Sequence, residues 1–180
     1  MRNTSRKISF MFRKIIKFLR QEVKRVGFQK VIVSLSGGLD SSTVAFLAVK
    51  ALGAENVFVV KLPHQDFNKD HDADLVISQL KIPKENIFES EISEIVESFL
   101  SNLGDLSDLR LGNLMARVRM ILLYDLAKKY NCLVCGTENK SEYLLGYFTR
   151  FGDQASDLEP IRSLYKTQVM ELAKELGVPE

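Results

Sequence analysis

The chain has 180 residues, 46% hydrophobic and 27% charged, with a formal net charge of +2. That is enough for one well-packed domain, 1–180, and too little for two; the composition excludes a disordered chain. No uninterrupted apolar stretch could span a bilayer and the start lacks a signal-peptide pattern, so the expected location is the cytoplasm, with no membrane partner.

Residues 1–28 read as a basic amphipathic helical segment. Ten Lys/Arg and only Glu22 lie within the first 30 positions, which leaves 15 basic against 22 acidic residues downstream. Ile8, Phe12, Ile15, Ile16, Leu19 and Val23 recur at helical spacing and can dock on a core. The basic face suits solvent, RNA, a membrane surface or a partner, because a charge block alone has low specificity.

Next comes an apolar run at 31–35, a glycine turn and a helix to about Lys50. Strands are predicted at 56–62, 86–90 and 132–136, and helices at 69–80, 91–102, 113–130 and 166–176, with "GDLSDLRLG" as a loop. Strands separated by helices of this length imply right-handed crossovers and an open parallel sheet with helices on both faces. In such a sheet ligands gather beyond the carboxyl ends of the strands. The segments 34–42, 63–68 and 136–142, rich in functional residue types, all follow strands. Cys132 and Cys135 fall three apart in one strand and so point to opposite faces; they read as buried and inert.

In "VIVSLSGGLDSSTV" Gly37 and Gly38 permit a tight turn with accessible N–H groups, and the following helix offers its positive end to an anion. Ser36, Ser41 and Ser42 add hydroxyl donors. The order of residues matches neither a Walker loop nor a dinucleotide fingerprint. Asp40 would repel a polyphosphate unless a divalent cation lay between them; its other reading is a plain helix N-cap. Downstream, Asn113, Arg117, Met120 and Tyr124 share a helical face from which Arg119 and Asp125 turn away. A guanidinium beside an amide suits a ribose-phosphate or carboxylate. Thr137 and Glu142 follow a strand, and Glu142 could share magnesium with Asp40. Arg150, Asp153 and Asp157 lie among the aromatics Tyr147, Phe148 and Phe151, a mixture suited to a planar heterocycle. Lys166 could reach phosphate by snorkelling.

"SGGLDSS" resembles the S-G-G-x-D-S signature of the pyrophosphate-loop ATPases. "GNLMARVRM", "GTENKSE" and "GYFTRFGDQASDLEPI...LYKTQV" resemble the G-N-x-x-A-R-x-R-M, G-T-x-N-K-S-E and G-Y-x-T-x-x-G-D stretches of the ammonia-dependent NAD synthetases. The resemblance runs from about residue 11 to residue 180. It implies a three-layer Rossmann-like α/β fold of the adenine nucleotide alpha hydrolase type, and amidation of deamido-NAD with ammonia and ATP.

By the same resemblance, Ser34, Leu35, Ser36, Gly37, Gly38, Leu39, Asp40 and Ser41 bind ATP together with Thr137 and Lys166. Asp40 and Glu142 hold Mg2+. Arg117, Arg150 and Asp157 hold deamido-NAD, with Asn139, Lys140 and Asp153 lining the same region. Asn113, four positions before Arg117 on one helical face, is assigned to the same substrate from its spacing, and in the expected reaction Asp153 is the candidate that orients ammonium and accepts its proton. A homodimer is implied, and no nucleic-acid partner. The alternatives are a tRNA-modifying adenylating enzyme of the same superfamily and a catalytically incomplete nucleotide-binding homologue. Two departures stand out: Arg150 replaces the family's usual lysine, and Ser34 its usual glycine. Family members also continue past the position of Glu180 with further substrate-binding residues, so the chain is expected to be a fragment or a shortened member.

Overall fold

The computed structural model describes residues 2–64 and 71–179. Eleven elements give the order α1 (Arg2–Arg25), β1 (Lys30–Ser34), α2 (Leu39–Leu52), β2 (Val57–Lys61), α3 (His71–Leu80), β3 (Ile87–Glu89), α4 (Ser93–Leu103), α5 (Asp108–Tyr130), β4 (Cys132–Val134), α6 (Lys140–Leu145) and α7 (Lys166–Leu176). The four strands form one parallel sheet in the order β3-β2-β1-β4. The expected start of the third helix at residue 69, and most of the polar segment 63–68, lie outside the described residues.

Side-chain alternation in β1 and β2 sets the layers. Val31, Val33, Val57 and Val59 face a core made with α1, α2, α3 and α7. Ile32, Phe58 and Val60 face the opposite way, into a core made with α4 and α5. A strand buried on both faces needs a helix layer on each. Each fully buried Val, Leu or Ile contributes about 1.5–3 kcal/mol relative to exposure, and Val31, Ile32, Val33, Val57 and Val59 are all fully buried.

The apolar stripe of α1 docks as expected, with Ile8, Ile15, Ile16, Leu19 and Val23 buried. One basic residue of this helix is more than a solvated charge. Arg20 donates from Nε to the Ala51 carbonyl at 2.7 Å and from Nη2 to the Lys50 carbonyl at 3.2 Å. A cation there satisfies the open carbonyls at the end of α2.

Three expectations need correction. The "GDLSDLRLG" loop ends at Ser107, where extended backbone opens α5 and Asp108 sits in its first turn; Leu111 N–H already bonds to the Ser107 carbonyl at 2.9 Å. Helix α6 is an addition, since its Leu144 and Leu145 are exposed and leave no amphipathic pattern. Two short 3-10 turns, Ala54–Asn56 and Lys84–Asn86, lead into β2 and β3.

Cys132 and Cys135 are both buried, and they belong to the two opposite cores. Burial pushes the Cys132 thiol up to about 11, with Lys30 pulling weakly the other way, and raises Cys135 further. Thiolate is the reactive form. Both cysteines are therefore expected to resist iodoacetamide at neutral pH in the folded chain and to react on denaturation. Rapid labelling of the native protein, read by mass spectrometry, would contradict this.

Candidate active site

The loop after β1 is shaped by its glycines and by serine hydroxyls. Gly37 has φ +75°, and a Cβ there would lie 3.1 Å from Ala73 N and 3.2 Å from Asp72 Cβ, against the first turn of α3. Ser36 Oγ lies 3.1 Å from Ser41 Oγ, Ser41 Oγ donates to the Gly38 carbonyl at 3.0 Å, and Gly38 N–H donates to Ser36 Oγ at 3.3 Å. Gly38 is the N-cap of α2 and brings no side-chain cap, so the first amides of that helix stay open to an anion. Ser42, expected as a donor, is instead buried within α2.

Asp40 is not the cap. Its Oδ2 pairs with Lys166 Nζ of α7, and its Oδ1 accepts from Asn139 Nδ2 at 3.4 Å. Asn139 is fully buried and opens α6 through a capping box. Its Oδ1 accepts the N–H groups of Ser141 and Glu142 at 2.9 and 3.1 Å, while its own N–H donates to Glu142 Oε2 at 3.1 Å. Burial raises the Glu142 carboxyl; the Asn139 N–H pulls it down, Asp40 pushes it up, Lys166 lowers it and Asp153 raises it.

The Asp40 charge thus reaches Glu142 at the foot of the loop. Two hard carboxylate oxygen donors beside open amides fit a divalent cation that takes its other ligands from phosphate and water. No group of three or more His, Cys, Asp or Glu among the described residues is arranged to hold a metal alone.

Two adjoining cavities open here. One of about 200 Å3 is lined by Gly38, Asp40, Thr137, Glu138, Glu142 and Asp153, with Tyr147 and Phe148 at its side. The other, about 340 Å3, lies between Ser34–Ser36, Leu62, Gly136 and the face of α5 that carries Ala116, Arg119 and Met120. Ser36, Ser41, Thr137 and Asp153 border both. A polyphosphate next to a half-apolar slot suits a nucleotide.

Arg119, expected to turn away, faces this slot and donates from Nε to the Leu62 carbonyl at 2.9 Å. It sits three after Ala116 and one before Met120, within one helical stripe, and that spacing was the available signal.

The residues assigned to deamido-NAD separate into three places. Asn113 Oδ1 accepts from Thr149 Oγ1 at 2.9 Å, and Arg117 Nε donates to the Arg150 carbonyl at 3.3 Å. Asp153 Oδ1 accepts the Thr149 N–H at 2.6 Å, which brings Asp153 to the same turn. Asn139 lies at Asp40, while Lys140 Nζ rests 4.4 Å from the Tyr165 ring centroid. Asp157 stands at the sheet edge, where its Oδ2 accepts the Val134 N–H at 2.7 Å. Tyr124 is nearby: burial raises its hydroxyl, and Asp157 adds to the rise.

Asn139→Ala removes the α6 cap and a partner of Asp40. It is expected to destabilise the fold by about 1–2 kcal/mol, read as a lower urea midpoint, with a larger loss in ATP affinity than Lys140→Ala.

The profile of the NAD synthase family matches residues 11–180. The NH(3)-dependent NAD(+) synthetase of Chlorobium phaeovibrioides is 49% identical over 164 residues, covering 90% of this chain. The chain spans only 58% of that relative's length. Among solved structures, the NH3-dependent NAD synthetase of Campylobacter jejuni in complex with nitrate superposes with a TM-score of 0.89 at 40% identity, covering 95% of this chain and 74% of that one. The NMN synthetase of Francisella tularensis superposes with a TM-score of 0.87 at 36% identity, over 96% and 71%. Given a parallel sheet with its phosphate loop and facing carboxylates, and a match over nearly its whole length, the chain belongs to the NAD synthase family.

Proposed function

We infer that this chain works as an ammonia-dependent NAD synthetase, a ligase that amidates deamido-NAD and cleaves ATP to AMP and pyrophosphate. The observation that carries the reading is the meeting of Asp40, Lys166, Asn139 and Glu142 beside the open amides of α2.

In this reading Ser34–Ser41, Thr137 and Lys166 hold ATP, with its base in the larger cavity and its phosphates at the helix end. The nicotinate carboxylate of deamido-NAD attacks the α-phosphorus, and pyrophosphate leaves. Ammonia then attacks the adenylated carbonyl, AMP departs, and the amide of NAD forms. Mg2+ held by Asp40 and Glu142 would supply positive charge to the phosphates. The loop amides stabilise negative charge as it develops. Arg117 and Arg150, drawn together on α5 and the 149–153 turn, fit the acceptor's phosphate or carboxylate groups. Asp153 borders both cavities, where it can orient ammonium and take its proton.

A homodimer belongs to the same proposal, and the exposed apolar side chains Leu109, Leu145, Tyr147 and Phe151 around the acceptor residues support it. No helix among the described residues is long and apolar enough to cross a membrane; cytoplasmic action without a nucleic-acid partner completes the proposal.

The test incubates the chain with ATP, magnesium, ammonium and either deamido-NAD or nicotinate mononucleotide, and measures AMP and amidated product. NAD formed with equimolar AMP is expected, and Asp40→Ala should lower kcat/KM by about 100-fold or more. AMP formed only with a tRNA, or with the mononucleotide in preference to the dinucleotide, would replace the acceptor. ATP binding that depends on Asp40, without turnover, would leave a nucleotide-binding homologue. Size-exclusion chromatography is expected to give a dimer.

A further inference from the structure

Lys61 takes no part in the reaction above, yet it is a charged side chain in an apolar place. It closes β2, every residue of which is buried, and is itself only 5% exposed. An amine so placed is costly unless it is paired and hydrogen-bonded. Its Nζ meets two carboxylates, Asp74 Oδ1 at 2.8 Å and Glu89 Oε2 at 2.7 Å. Burial pulls the amine down, but the bonds to Asp74 and Glu89, and the charges of both, carry it above its ordinary value.

The two carboxylates stand in different elements and depend on Lys61 unequally. Glu89 ends β3, and the ladder already places it: it is the register partner of Lys61, and the Lys61 carbonyl accepts the Ser90 N–H at 3.0 Å. Asp74 lies in the first turn of α3, where no ladder operates. The far end of that helix is fixed by buried Leu80 and by Gln79, whose Nε2 donates to the Gly177 carbonyl at 2.8 Å. Its near end is tied to the sheet through Asp74. That near end also abuts the phosphate loop, since a Cβ on Gly37 would lie 3.2 Å from Asp72 Cβ and 3.1 Å from Ala73 N, in the two residues before Asp74. A close-packed interior passes a shift on to its neighbours.

We propose that Lys61 is a positioning residue for ATP: through Asp74 it fixes the start of α3, and the start of α3 sets where the Gly37 turn of the phosphate loop stands. The role rests on the reading of that loop as the ATP site. Lys61 acts at one remove, without touching the nucleotide, and a misplacement of about 1 Å in a group that holds substrate can cost about 100-fold. Asp74 is exposed, and Lys61 keeps Glu89 when the first pair is cut, so Asp74→Asn leaves no buried charge without a partner.

The experiment compares Asp74→Asn with Glu89→Gln in the 15N-labelled chain. Without nucleotide, Asp74→Asn is expected to move the Gly37 and Gly38 amide resonances, and Glu89→Gln to leave them near their wild-type positions. Calorimetric titration with MgATP should show about tenfold weaker binding for Asp74→Asn, the factor that corresponds to about 1.4 kcal/mol, and a change within about twofold for Glu89→Gln. Lys61→Met should match Asp74→Asn; if it does not fold, the other two variants decide. A merely structural pair would lower the melting temperature and leave the dissociation constant of the folded protein alone. Equal effects of the two substitutions on the loop amides, or ATP binding by Asp74→Asn within about twofold of wild type, would overturn the role of Lys61 and leave the ATP reading standing. A wild-type chain that fails to bind MgATP overturns that reading instead, and the role with it.

Discussion

The burial of β1 and β2 on both faces is the constraint from which the rest follows. Every residue of β2 is buried, and β1 divides its valines and isoleucine between two cores. Such strands need helices above and below, and parallel pairing needs a crossover for each new strand. All carboxyl ends then point one way. The loop after β1 and the turn after β4 become neighbours although Asp40 and Asn139 are 99 positions apart. Chemistry is gathered by topology, without any long-range pairing written into local sequence.

The gathering has an electrostatic cost. Asp40, Glu138, Glu142 and Asp153 border one small cavity, in which burial first and then Asp153 raise the Glu138 and Glu142 carboxyls, and Asp40 adds to the rise at Glu142. The fold offsets this with few charges placed at close range. Lys166 meets Asp40, Arg162 meets Glu138, and the open end of α2 presents its partial positive charge to the same space.

The sheet, its layers and the phosphate loop were legible because their signals are local: alternation in β1, helical spacing in α1, adjacent glycines before an aspartate. The cysteines were legible for the same reason, since spacing by three in a strand separates faces. What stayed hidden depends on neighbours distant in sequence. The motif shows the amide of Asn139 but not its partners, which the fold supplies by burying it between the start of α6 and Asp40. Helical spacing shows only that Arg119 leaves the Asn113–Arg117 face; the slot it borders exists because the chain after β2 runs beside α5. For Asp157 the sequence gives no sign of a second bond that the fold supplies, in which its carboxylate accepts the Val134 N–H at the end of the sheet. Helix α6 could be read only from its Asn-x-x-Glu box, because it buries no apolar face.

Gly37 carries a consequence for a residue outside the loop. Its left-handed backbone lies against the first turn of α3, 3.1 Å from Ala73 N for any added Cβ, and Ala73 itself is fully buried. The neighbour is the α3 backbone itself, with Asp72 Cβ at 3.2 Å, so no choice of side chain at 73 can make room for a larger residue at 37. A substitution in the loop is therefore transmitted to the first turn of α3 as a displacement of main chain, and the loop's position is gauged by a helix that contributes no side chain to it.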